Sequence, residues 1–129
     1  MERRRVPART PYAEVAGYSR AVRAGGQVFV SGTVAVTSDG GDPPTDGYGQ
    51  AVRCLEIIVT ALEEAGARAE DVVRTRMYLT RPGDVDEVLR AHGEVFGRIR
   101  PASTMVIVKE LVEPRYVVEI EADAVLSDR

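Results

Sequence analysis

Residues 72–80 read VVRTRMYLT, and their alternation decides the fold. In an extended chain Val73, Thr75, Met77 and Leu79 fall on one side and Val72, Arg74, Arg76 and Tyr78 on the other. A strand with one apolar side has to be covered, and the sequence on either flank supplies the cover. Upstream, Ala51, Leu55, Ile58 and Leu62 recur at steps of four, three and four residues, which predicts a helix over 47–65 capped by Asp46 and ended by Gly66. Downstream, Val85, Val88, Leu89, His92 and Phe96 form the apolar stripe of a second helix. Asp84 is placed to cap it, with Glu87 at the reciprocal position, and Gly97 closes it.

Further outward, residues 19–23 and 27–31 flank an Ala-Gly-Gly turn and read as a hairpin. The segment 37–47, TSDGGDPPTDG, is a surface loop. Beyond the second helix, 104–109 and 116–125 read as two more strands joined by ELVEPR, a second hairpin. The predicted order is ββαβαββ: one α+β domain over residues 1–129, a mixed sheet with both helices on one face. Residues 1–16 precede the pattern and are expected to be a flexible tail.

Composition agrees with one ordinary globular domain and excludes several functions. Of 129 residues, 44% are hydrophobic, a size and balance that need no staple. The single Cys54 cannot form an internal disulfide, which suits a reducing compartment, the cytoplasm. It adjoins the first helix's stripe and is expected to be an inert packing thiol. The net charge is −3, so nucleic acid is a disfavoured partner. The basic start, MERRRVPART, lacks a following apolar stretch, so neither a secretory leader nor a membrane span is expected. P-loop, GxGxxG, HExxH and CxxC spacings are missing, so nucleotide, dinucleotide and zinc chemistry have no supporting spacing. His92, the sole histidine, sits in a helical stripe and reads as a packed or hydrogen-bonded core residue, with a functional role as the alternative.

Alternation also sorts the last strands. Val118, Ile120, Ala122 and Ala124 face the helices, leaving Glu119, Glu121 and Asp123 on the open side with Arg74, Arg76 and Tyr78. The set Ser103, Met105, Ile107 is assigned to that same open side. Arg, Glu and Tyr mixed with Met and Ile there suggest a subunit interface more than a solvated face.

The pieces YSRAV (18–22), GGQVFVSGT (25–33), EEAGA (63–67) at the end of the first helix, DVVRTRMYL (71–79), RPAST (100–104) and VEIEADAV (118–125) occur in an order and spacing that resemble the RidA (YjgF) family of reactive imine and enamine deaminases. The resemblance runs from Tyr18 to Leu126. It implies a chorismate-mutase-like fold, a homotrimer with a barrel-like core, ligand clefts between subunits and no cofactor. In deaminating members an Arg clamps the carboxylate of a small 2-imino acid while water attacks the imine carbon. Tyr18, Ser31, Gly32 and Glu119 match cleft positions of the family. The clamp does not: Pro-Ala-Arg-Ser is replaced by Pro101-Ala102-Ser103-Thr104, which puts a neutral hydroxyl where the two-pronged cation belongs. Leu89 and His92 also stand where the family commonly has Asn and Tyr.

The resemblance therefore points to the branch lacking the clamping arginine. The leading expectation is a hydrolase of a small imine or enamine with altered substrate preference. A non-catalytic small-molecule binding or regulatory trimer is the alternative, and an RNA-cleaving role ranks third. Glu119 is the candidate base, acting through one water, with Tyr18, Ser31, Ser103 and Thr104 holding the ligand. Arg76 is a candidate relocated cation; the competing expectation is a structural pair between Arg76 and Glu119 or Glu121.

Overall fold

A computed structural model describes residues 2–127. The chain runs β1 (Arg3–Val6), α1 (Pro11–Ala16), β2 (Ala21–Ala24), β3 (Gln27–Thr33), α2 (Gly47–Glu64), β4 (Val72–Leu79), α3 (Val85–Phe96), β5 (Ala102–Ile107) and β6 (Val118–Val125). The expected ββαβαββ order is present from β2 onward. The six strands form one mixed sheet in the order β1-β2-β3-β6-β4-β5, in which only β4 and β5 run parallel.

Both long helices cover one face. From α2, Ala51, Cys54, Leu55, Ile58, Ala61 and Leu62 are buried, and from α3 Val88, Ala91 and Phe96. They meet Val28, Val30, Met77, Leu79, Val118, Ile120, Ala122 and Ala124 in one core. Asp46 caps α2 as expected, accepting from the Gly49 N–H at 2.9 Å. At its other end Gly66 takes φ 86°, a left-handed turn that a side chain would strain.

Five expectations are corrected. Residues 3–6 are not a loose tail: they pair antiparallel with β2, and Val6 is buried, so the edge of β2 is covered rather than left open. The last two strands are not a hairpin either. β6 returns between β3 and β4, where an inward row of Val and Ala suits a central strand under α2, and β5 is left at the edge. The crossover 108–117 is held by buried Gln50, whose Nε2 donates to the Pro44 and Arg115 carbonyls while its Oε1 accepts from the Val117 N–H.

The third correction decides the site. Parallel pairing sets Ser103 beside Thr75, Met105 beside Met77 and Ile107 beside Leu79, so this set faces the helices and Thr104 and Val106 face the open side. Alternation fixes which residues share a face, but the pairing register fixes which face that is. The apolar content of the open face comes instead from Phe29, Val106 and Val125, all exposed. At the start of β4 the register slips between Val72 and Arg74, turning Val72 inward and Val73 out. Finally, Asp84 does not cap α3; its carboxylate is taken by the Arg81 Nε at 2.6 Å.

Candidate functional site

The expected site residues fall into two groups. The first is built at a break in the β3–β6 ladder, where the register shifts between Val30 and Thr33. The bulge brings the Gly32 backbone against Glu119 of β6. A β-carbon at Gly32 would overlap Glu119 Oε2 and lie 3.0 Å from Cδ, so the absence of a side chain is what admits the carboxylate. Arg20 fixes this geometry: its Nη1 donates to the Gly32 carbonyl at 2.9 Å and to Thr33 Oγ1 at 3.0 Å. Ser31 Oγ donates to the Ser19 carbonyl at 2.6 Å, which spends its proton and leaves its oxygen able to accept. Tyr18 adjoins that contact in sequence, and its hydroxyl pairs with Thr10 Oγ1 at 2.8 Å.

Glu119 is the chemically distinctive member. It accepts no hydrogen bond and forms no ion pair among the described residues, although Arg20 and Glu121 act on it electrostatically. Burial raises its pKa above the ordinary carboxylate value; Glu121 adds to the rise and Arg20 opposes it. A half-buried carboxylate with free lone pairs and raised basicity can take a proton from a water.

The second group lies at the β5 edge. Thr75 Oγ1 donates to Ser103 Oγ at 2.8 Å and is also 2.8 Å from His92 Nε2. The His92 ring stacks at a tilt on Phe96, with centroids 4.7 Å apart, and burial lowers its pKa. His92 is thus a hydrogen-bonded helix histidine, as expected, but its tie to Ser103 is new.

Arg76 is engaged within the sheet. It pairs with Asp123 at 3.2 Å and Glu121 at 3.5 Å, and Tyr78 donates to Glu121 at 2.7 Å. Glu119 is not among its partners, and Arg76 shares a face with Thr104 rather than with Ser103. Nor do the two groups meet within one chain. Ser103 and Glu119 sit on opposite sheet faces, two strands and three residue pairs apart, on the order of 14 Å between backbones.

Sequence reasoning missed Arg20 and Thr75. Arg20 lies inside the quoted YSRAV stretch; Thr75 looked like one more inward strand residue. Cys54 is buried and burial pushes its thiol up, as fits an inert group. Among the described residues no cluster of His, Cys, Asp or Glu could hold a metal ion, and no helix is long and apolar enough to cross a membrane. The groove between α2 and α3, lined by Tyr48, Val52, Val59 and Val95 among others, contains none of the site residues.

Comparison with known proteins agrees with this architecture. The family model described as Endoribonuclease L-PSP matches residues 8–126. An uncharacterised protein of Streptomyces coelicolor is 39% identical over 94% of this chain and 90% of its own length. A RutC family protein of Pyrococcus abyssi is 34% identical over 83% of this chain and 84% of its own. The crystal structure of a YjgF family member from Mycobacterium tuberculosis superimposes with a TM-score of 0.88 at 41% identity, covering 97% of this chain and all of that one. With the family model over residues 8–126, these relatives and the shared fold together, the chain belongs to the YjgF/RutC family.

Proposed function

We propose that the chain hydrolyses a small imine or enamine in a cleft shared between neighbouring copies of itself in a homotrimer, with Glu119 as the base. The observation that carries this reading is Glu119 itself: half-buried, raised in pKa and without a hydrogen-bond partner, beside a backbone kept bare by Gly32. The separation of the two groups supports a shared cleft, because each is half a site on its own chain. Exposed Phe29, Val106 and Val125 on the open face give the copies an apolar surface to bury.

In this mechanism water attacks the imine carbon while Glu119 accepts its proton. The imine reacts as its solvent-protonated iminium, so the product is a neutral carbinolamine. Glu119 returns its proton to the amine and takes the hydroxyl proton as the C–N bond breaks, then passes it to the departing ammonia, so iminium and water become ketone and ammonium. No step calls for a metal or an organic cofactor. Ser31, Tyr18 and Thr104 offer neutral contacts, and Ser103 stands in place of a clamping cation, so the preferred ligand is not a short 2-imino acid. The lone buried Cys54 suits a cytoplasmic setting.

The test is ammonia release from a panel of enzymatically generated imino acids and enamines, by the wild type and Glu119→Gln. Turnover that falls at least about 100-fold in the variant supports the reading. Ligand-induced melting shifts without ammonia overturn it in favour of a binding or regulatory trimer, for which the missing cation at position 103 speaks. Cleavage of RNA, the activity in the family description, is disfavoured by the row Glu119, Glu121 and Asp123 on the open face.

A further inference from the structure

Thr75 is fully buried, and its hydroxyl touches two polar partners, His92 Nε2 and Ser103 Oγ, each at 2.8 Å. A threonine hydroxyl has one proton to give. That proton goes to Ser103, so Thr75 Oγ1 has to accept from the imidazole, which requires the Nε2–H tautomer of His92. Ser103 Oγ therefore receives a hydrogen bond and retains its own proton, for which no described residue is the acceptor. The residue is exposed on the edge strand, so that proton is available to a ligand.

The surroundings are apolar. Met105 and Ile107 continue the Ser103 side of β5, and exposed Leu89 lies one turn before His92 on α3. A neutral donor in such a strip satisfies a carbonyl oxygen but does not repay the desolvation of a carboxylate.

We propose that His92, acting through Thr75, is a positioning residue that holds the Ser103 hydroxyl as an outward hydrogen-bond donor, so that this half of the cleft selects an uncharged amide or ketone oxygen in place of a carboxylate. The inference rests on the shared-cleft reading above and names the substrate class of that site.

The test uses 2-oxobutanamide and 2-oxobutanoate as a matched neutral and anionic pair, titrated against the full chain and followed by backbone amide shifts at 31–33 and 102–107. Side-chain nitrogen NMR of His92 in the free protein is read alongside. The expected results are an Nε2–H tautomer and binding of the amide at least as tight as that of the acid. Ser103→Ala and His92→Phe should weaken the amide about 3- to 10-fold. His92→Gln should restore affinity to within about twofold, because its amide can donate from nearly the same place. A merely structural role predicts the reverse order, since Phe keeps the ring on Phe96 and Gln does not. An Nδ1–H tautomer, tighter binding of the acid, or unchanged amide binding in His92→Phe overturns the proposal. Shifts at 31–33 that ignore the β5 and His92 variants overturn it while leaving the shared cleft standing. No shift at either stretch with either probe overturns the cleft reading and this one with it.

Discussion

The carboxylate of Glu119 lies over Gly32, so close that a β-carbon at Gly32 would stand 3.0 Å from Cδ and overlap Oε2. The obstructed group is the end of a flexible side chain, so Gly32→Ala is expected to turn Glu119 aside more than to unfold the sheet. Melting temperature should change by no more than a few degrees, about 1 kcal/mol or less, while ammonia release falls at least about tenfold. A variant with wild-type turnover would separate the contact from catalysis.

The raised pKa of Glu119 makes a statement about stability as well as chemistry. Burial, then Glu121, pushes it above its ordinary 4.5 against the pull of Arg20. The native state thus holds the proton more tightly than the unfolded chain. Stability falls as pH rises from the ordinary value through the raised one, and is level above it. Glu119→Gln removes that penalty. Its melting temperature should exceed the wild type's at neutral pH, with the gap closing below about pH 4. A gap that widens on acidification would contradict the sign of the shift.

Buried Gln50 predicts a fold defect away from the site. Its side chain makes three hydrogen bonds, two to carbonyls and one from the Val117 N–H, tying the 108–117 crossover to α2. Gln50→Leu keeps the volume and strands these groups. We expect a loss of about 2 to 4 kcal/mol in chemical denaturation. A loss under about 0.5 kcal/mol would mean that water replaces the side chain.

These contacts also mark what the sequence made legible. The alternation in 118–125 located a strand whose inward and outward residues the structure keeps, and the spacing of Ala51, Leu55, Ile58 and Leu62 placed α2 within a residue of its ends. Gly32, Ser31 and Glu119 could be singled out because they fall inside quoted stretches, and the first group unites them. The face of β5 could not be read. An edge strand exposed on both sides has no apolar contrast to orient it, and its register depends on parallel pairing across an intervening helix. Without that register the Ser103–Thr75–His92 chain is invisible, since its members are separated by 17 and 28 residues. The Arg20 contacts depend likewise on a bulge that alternation cannot foresee.

Assembly gives a fourth prediction. Val106 is 41% exposed on the open face, opposite Tyr78. Light scattering of the wild type should give the mass of three chains, and Val106→Arg should shift it toward one without altering the far-ultraviolet spectrum of each chain. A wild type that is monomeric at micromolar concentration would remove the shared cleft.

The last prediction restores the missing cation. Ser103→Arg puts a guanidinium at the β5 edge, where the family's deaminating motif has one, and it also deletes the acceptor to which Thr75 donates. Thr75 then turns its proton to His92 Nε2, which can accept in its other neutral tautomer, so no buried hydroxyl is left unpaired. The new side chain starts from an exposed position and can extend beyond the strand edge. A charged pair of this kind is worth about 2 to 5 kcal/mol, or roughly 30-fold to several thousand-fold in affinity. Deamination of short 2-imino acids should therefore rise at least about tenfold, mainly through a lower KM, and binding of 2-oxobutanoate should overtake that of 2-oxobutanamide. If the variant folds and assembles as the wild type does yet gains nothing on either measure, the neutral residue at position 103 is not what limits carboxylate recognition, and the altered cleft at Leu89 and His92 becomes the cause to test.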